Sequence, residues 1–179
     1  MDRTDFRILY EYNDWANDRL LSMLFRIFGE ETDLRQQGPI PLAIQEAAVH
    51  IVAAQAIWRA RWEGRSPTAM LSPEEYRTPL AIRMAFGAER ARFWGFFDML
   101  DSDAALHRVV QSQSTSGEPR IFPLWQMMQH IVTHSTYHRG QITGRFLDLG
   151  HDSEIVSTDL ITYYQQYPHS DPSEVSLPQ

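Results

Sequence analysis

The sequence predicts an all-α protein, a four-helix bundle. Four long segments repeat apolar residues at helical spacing, glycine or proline marks at least one end of each, and strand-like alternation is confined to one short stretch. A chain of 179 residues is long enough for one domain with a sizeable core.

The first helix is predicted from about Asp5 to Phe28. Ile8, Leu9, Tyr12, Trp15, Ala16, Leu20, Met23 and Leu24 form its stripe, and Gly29 closes it. The segment "TDLRQQGPIPL" is a Gly/Pro linker into a second helix, about Leu42 to Glu63. Its apolar residues include Ala47, Val49, Val52, Ala53, Ala56, Ile57, Trp58 and Trp62, and Gly64 ends it. The linker "RSPTAMLSPEEYRT" follows. Extended, it spans roughly 40 Å, enough to cross the bundle and let helices two and three run parallel.

Helix three covers about Pro79 to Met99 and carries Ile82, Ala85, Phe86, Phe93, Phe96 and Phe97. In "LHRVVQSQSTSGEPRIF", Val109 and Val110 adjoin a Ser/Gln alternation and Ser116-Gly117 supplies a turn, so a short hairpin is expected. Helix four runs from about Pro123 to Leu149, with Gly150 just beyond it. Residues from about 168 to 179 are polar and proline-rich and read as a frayed or disordered tail. There is no internal repeat and no sign of a second domain, so residues 1–179 are expected to form a single domain.

Composition is globular, 43% hydrophobic and 22% charged, and the net charge of −7 argues against a nucleic-acid binder. Arg59, Arg61 and Arg65 make a local basic cluster, expected to be a solvated helix end favoured by the dipole. No cysteine is present, which excludes disulfides, thiolate metal sites and a cysteine nucleophile. The N-terminus lacks a signal-peptide core, and no apolar run approaches the roughly 18 residues of a membrane span. A cytoplasmic protein is expected.

Helix four contains "HIVTHSTYH", with His130, His134 and His138 at intervals of four. A step of four returns to nearly the same helix face, drifting by about 40°. Neighbouring imidazoles at this spacing can grip one ion. His134 and His138 are placed along the apolar stripe of Leu124, Met127, Met128, Ile131 and Ile142, where unsatisfied polar groups are costly. A third ligand must come from another helix, and His50 is the only histidine in the first three. It sits among small residues in "AAVHIVAA". His50, His134 and His138 would form a three-nitrogen site with room for solvent or substrate. By spacing, His130 could replace His138.

Glu46, one turn before His50, could orient a ring or accept a proton, though a plain surface role suits it too. His107, His151 and His169 are expected in solvent. No His-Glu-x-x-His helix, Glu-x-x-His pair, phosphate loop or GxSxG elbow occurs.

"YNDWANDRLL", "VHIVAAQAIW" and "HIVTHSTYHRGQI", with the lead-in "SGEPRIFPLWQMMQH", resemble the DinB/YfiT-like family of metalloenzymes over nearly the whole chain. The resemblance implies an up-down-down-up four-helix bundle. It also implies a metal triad of one histidine from helix two and the i, i+4 pair that precedes Arg-Gly-Gln, here His50, His134 and His138. His130 then becomes a supporting or packing residue. Arg139 and Gln141 take helix-stabilising or dimer-contact roles, and Asn17 is placed to hydrogen-bond between helices.

Characterised relatives include transferases and isomerases that use low-molecular-weight thiols such as mycothiol, bacillithiol or glutathione. A Zn²⁺ or Ni²⁺ ion that activates a thiol for attack on an electrophile is therefore expected. The alternatives are a metal-dependent hydrolase assisted by Glu46, and a non-catalytic stress-related metal-binding or interaction protein. The family implies a homodimer, for which Trp94, Phe96 and Phe97 could supply a face if they are not core. The "damage-inducible" in its name reports regulation and not DNA binding.

Overall fold

The computed structural model describes residues 1–29 and 39–168. The central part of the first linker, His169 and the expected tail lie outside the described residues, apart from Pro168 at the tail's start.

Four long helices dominate: α1 (Arg3–Phe28), α2 (Leu42–Trp62), α3 (Pro79–Asp98) and α5 (Leu124–Asp148). Helix α1 begins two residues earlier than the apolar stripe suggests, because Asp2 and Asp5 form a reciprocal capping box. Thr78 caps α3, its Oγ1 accepting from the Ala81 amide at 3.1 Å, with Pro79 in the first turn. At the far end of α5, Gly150 adopts φ 79°, the left-handed conformation that stops a helix.

The expected hairpin is present. Strands β1 (Val109–Gln113) and β2 (Pro119–Pro123) pair antiparallel, with Val110 opposite Phe122 and Ser112 opposite Arg120. Gly117, at φ 86°, makes the turn between them. The short helices α4 (Asp103–Leu106) and α6 (Leu160–Gln166), with 3-10 turns at Pro73–Glu75 and Asp152–Glu154, complete the described chain. These pieces are too short for apolar periodicity to reveal.

Helices α1 and α2 each pack against both α3 and α5. The interior divides into two apolar clusters. One joins the start of α1 (Phe6, Tyr10), the ends of α2 (Trp62) and α3 (Phe93, Phe97), and the start of α5 (Leu124, Met128). The other joins the end of α1 (Leu24, Phe28), the starts of α2 (Ile44, Ala48) and α3 (Ile82, Phe86), and the end of α5 (Ile142, Phe146). Tyr10 and Phe93 stack at 3.8 Å in the first cluster. Phe96 and Phe97 are buried there, and Trp94 packs on Phe97 while its Nε1 donates to Asp14 at 2.8 Å. Phe96 and Phe97 thus belong to the core, and Trp94 lies at its margin.

The arginine cluster departs from expectation. Arg59 and Arg61 are buried, not solvated. Arg59 reaches Glu89 on α3 through Nε at 2.5 Å and Nη2 at 3.1 Å, and Nη1 binds Glu63. Arg65 pairs with Glu63 at the surface. Helix α3 packs against α2 and the hairpin also contacts it, so the end of α2 is covered and its cations find internal partners, Arg59 on Glu89 and Arg61 on the Gln113 carbonyl.

Candidate metal centre

Between the two apolar clusters runs a polar layer. His50 lies midway along α2, between Val49 and Ala53, and His134 and His138 occupy successive turns of α5. The three rings converge: centroids are 5.1 Å apart for His50–His134, 4.6 Å for His50–His138 and 4.5 Å for His134–His138. One ligating nitrogen from each lies within 4.8 Å of the other two. Among the described residues, no other group of three metal-ligating side chains comes this close.

The Nε2 atoms of His50 and His134 are 3.1 Å apart. At that separation they share either one proton or one cation. A tetrahedral zinc with Zn–N bonds of about 2.0–2.1 Å holds its nitrogens about 3.3 Å apart, so the spacing suits an ion.

All three rings are half-buried, so the deep stripe expected for the pair on α5 is not where they lie. Ser135 and Arg139 take the fully buried positions, and the rings stand on the flank facing α2 and solvent. Burial, reinforced by His138, His50 and His130, pushes the His134 imidazole down to about 4. Burial and His138 lower His50 as well. Neutral imidazoles with free lone pairs are what a cation requires.

The supporting contacts divide the Arg-Gly-Gln motif. Gln141 Oε1 lies 2.8 Å from His138 Nδ1, which makes Nδ1 the donor and leaves Nε2 of the neutral ring as the acceptor. Arg139 is fully buried and turns the other way, toward α1. Its Nη1 donates to the side-chain oxygens of Asn13 at 2.9 Å and Asn17 at 2.8 Å, and its Nη2 to Thr136 at 2.8 Å. The expected interhelical role of Asn17 is therefore seen, and Arg139 locks α1 to α5 within one chain. Gln141 does more than stabilise a helix: it orients a ring of the triad.

His130 adjoins the group without joining it. Its ring is 5.2 Å from His134 and 4.8 Å from Trp58. His107 is exposed as expected, but His151 is half-buried, with its ring 6.2 Å from that of Phe28. Glu46 is exposed and lines, with His50 and His138, a cavity of about 530 Å³. Met70, Leu71 and Pro73 wall that cavity, and Gln45 Nε2 donates to the Pro73 carbonyl at 2.7 Å, which pins the segment to α2. The second linker, read from sequence only as a crossing, is thus part of the site. Its length was the available signal: a strand of chain returning along α2 must pass the middle of that helix.

The sequence profile of the DinB family matches residues 1–172. The chain belongs to the DinB family. It is also similar to "Protein DinB" of Bacillus subtilis (strain 168), 24% identical over 149 residues that cover 81% of this chain and 86% of that protein. A DinB-family chain with three convergent histidines has a group that could bind a metal ion. No described helix is long and apolar enough to cross a membrane.

Proposed function

We propose that His50, His134 and His138 hold one divalent ion, zinc or nickel, and that the protein is a metal-dependent enzyme acting on a small molecule. The 4.8 Å convergence of three lone-pair donors from two helices carries this reading. When bound, such an ion supplies Lewis-acid chemistry that lowers the pKa of a thiol or water at its open position.

The residues of the chain do the rest. Gln141 holds the His138 ring in the ligating tautomer, and Arg139 with Asn13 and Asn17 fixes α5 against α1 so that the pair keeps its pitch. Ala43, Ala47, Ala53, Met70, Leu71 and Pro73 make an approach to His50 and His138 that is largely apolar. That lining suits an organic thiol and its electrophile, and S-transfer is the reaction we favour. Glu46, on the same wall, is positioned to accept a proton, which supports hydrolysis as the second reading.

The four long helices are read as an up-down-down-up bundle. Support comes from the two clusters: the starts of α1 and α5 meet the ends of α2 and α3 in one, and the reverse holds in the other.

Elemental analysis of freshly purified protein tests the ligand set. About one divalent ion per chain is expected, falling to background in His134→Ala. A stoichiometric ion retained by His134→Ala would overturn the triad. Turnover of a broad electrophile panel with and without low-molecular-weight thiol then separates transfer from hydrolysis.

A further inference from the structure

The hairpin lies across the groove between α2 and α5, and the space beneath it is a second cavity, of about 220 Å³. Trp58 from α2, Phe122 and Arg120 from β2, and Gln126, Met127 and His130 from α5 line it. The walls are mainly apolar, yet a cation stands in them. The Arg120 side chain forms no ion pair or hydrogen bond among the described residues, and its Nε is buried without a partner.

A second cation backs the first. Arg61 is buried, with its guanidinium carbon 4.7 Å from the centroid of the Trp58 ring and its Nε donating to the Gln113 carbonyl at 3.1 Å. It has no carboxylate partner among the described residues. Burial and the nearby Arg120 both lower its pKa, so the two guanidinium groups feel one another. This is unusual in a chain of net charge −7, whose other buried helix-end arginine, Arg59, is clasped by Glu89 and Glu63.

The strand register adds a further polar atom. Ser112 faces Arg120 directly across the ladder, so the two side chains share one face of the hairpin. The Ser112 hydroxyl is also buried and unpartnered. Buried polar groups without partners are few in folded proteins, and two on one sheet face beside a cavity call for an acceptor from outside the chain. A carboxylate supplies two acceptor oxygens to a guanidinium in matched geometry.

We propose that the cavity beneath the hairpin binds a small organic carboxylate with a flat apolar body, its charge met by Arg120 in the field of Arg61 and its body packed on Trp58, Phe122 and Met127. The cavity adjoins the histidine triad through the His130 ring. That the bound carboxylate is the remote end of a substrate therefore rests on the metal-centre reading, whereas binding of the anion does not.

Cinnamate is the probe, and cinnamamide its neutral match. Calorimetric titration of the full chain, chelator-treated and metal-loaded, is expected to show cinnamate binding in both forms, at least tenfold tighter than cinnamamide and weakened by added salt. Arg120→Gln should remove the tenfold preference, and Arg120→Lys should retain part of it. His134→Ala should keep cinnamate binding even if it loses the metal, so failure of the metal reading stays separable. Equal affinity for acid and amide, or a preference unchanged in Arg120→Gln, would overturn the proposal. Inorganic phosphate binding as tightly as cinnamate would overturn the apolar-body part. The acid-to-amide ratio in the unmodified chain tests the charge even if the variants fold poorly.

Discussion

At the scale of single residues, the arrangement depends on which ring nitrogen carries the proton. Gln141 is exposed, so its removal costs the fold little, but its contact sets the tautomer of His138. Gln141→Ala is expected to weaken metal affinity about 10–100-fold in a chelator competition while leaving the melting temperature of the metal-free protein nearly unchanged. Protonation gives a second prediction. His134 titrates near 4 in the folded chain against 6.5 ordinarily. Above 6.5 both folded and unfolded forms are neutral, and well below 4 both are charged. Between those values the unfolded chain holds more protons, so stability rises with pH across the window and is lost as pH falls through it. His50, lowered by burial, acts in the same direction. Chelator-treated protein should therefore lose melting temperature from pH 6.5 toward 4, and His134→Ala should lose less over the same range. Equal slopes would refute the depressed imidazole. The spacing of four made the pair legible in the sequence, but it could not tell the buried stripe from its flank, because the 40° drift covers that difference.

Among the elements, the contact between α2 and α3 carries a charge pair where an apolar seam would serve. Glu89 is 2% exposed and holds Arg59 through two contacts. Removing Glu89 leaves the buried Arg59 guanidinium held only by Glu63 at its outer edge, so Glu89→Ala is expected to cost about 3 kcal/mol in urea denaturation, the low end for a broken buried pair. The double replacement Arg59→Met, Glu89→Leu should cost less than either single change, since it strands nothing. Additive losses would show that the two residues act separately. The same pair marks what sequence reading misses. Helix ends at Gly29, Gly64, Pro79 and Gly150 are announced locally, and the long helices were legible to within a few residues. The partner of Arg59 is 30 positions away on another helix, and local pattern holds nothing that selects it. The hairpin was legible from its turn, whereas the consequence of its register, Arg120 and Ser112 facing inward together, depends on the groove it covers. Helices α4 and α6 were invisible because each is too short to show a period.

Across the whole molecule, the polar layer sits between two apolar clusters that each involve all four long helices. The clusters hold the ends, and the middle of the α2–α5 seam is left to polar contacts: the triad and, one turn away, Gln55 Nε2 donating to Ser135 Oγ at 3.4 Å. On the α1 side the same level is closed by Arg139 with Asn13 and Asn17. An ion at the triad would cross-link α2 to α5 where apolar packing is interrupted, and it would bind only when both helices are in place. Binding restricted to the folded state stabilises it by an amount set by ligand concentration over Kd, about 4 kcal/mol at a thousandfold excess. Metal-loaded protein should thus melt several degrees above the chelator-treated form, by a margin that grows with free ion and vanishes in His134→Ala. Glu89→Ala, which weakens the α2–α3 contact away from the triad, should lower both melting temperatures and preserve the difference between them. A difference that shrank in Glu89→Ala would mean that the ion reads the integrity of all the packed helices, and that the α2–α5 seam does not hold the triad by itself.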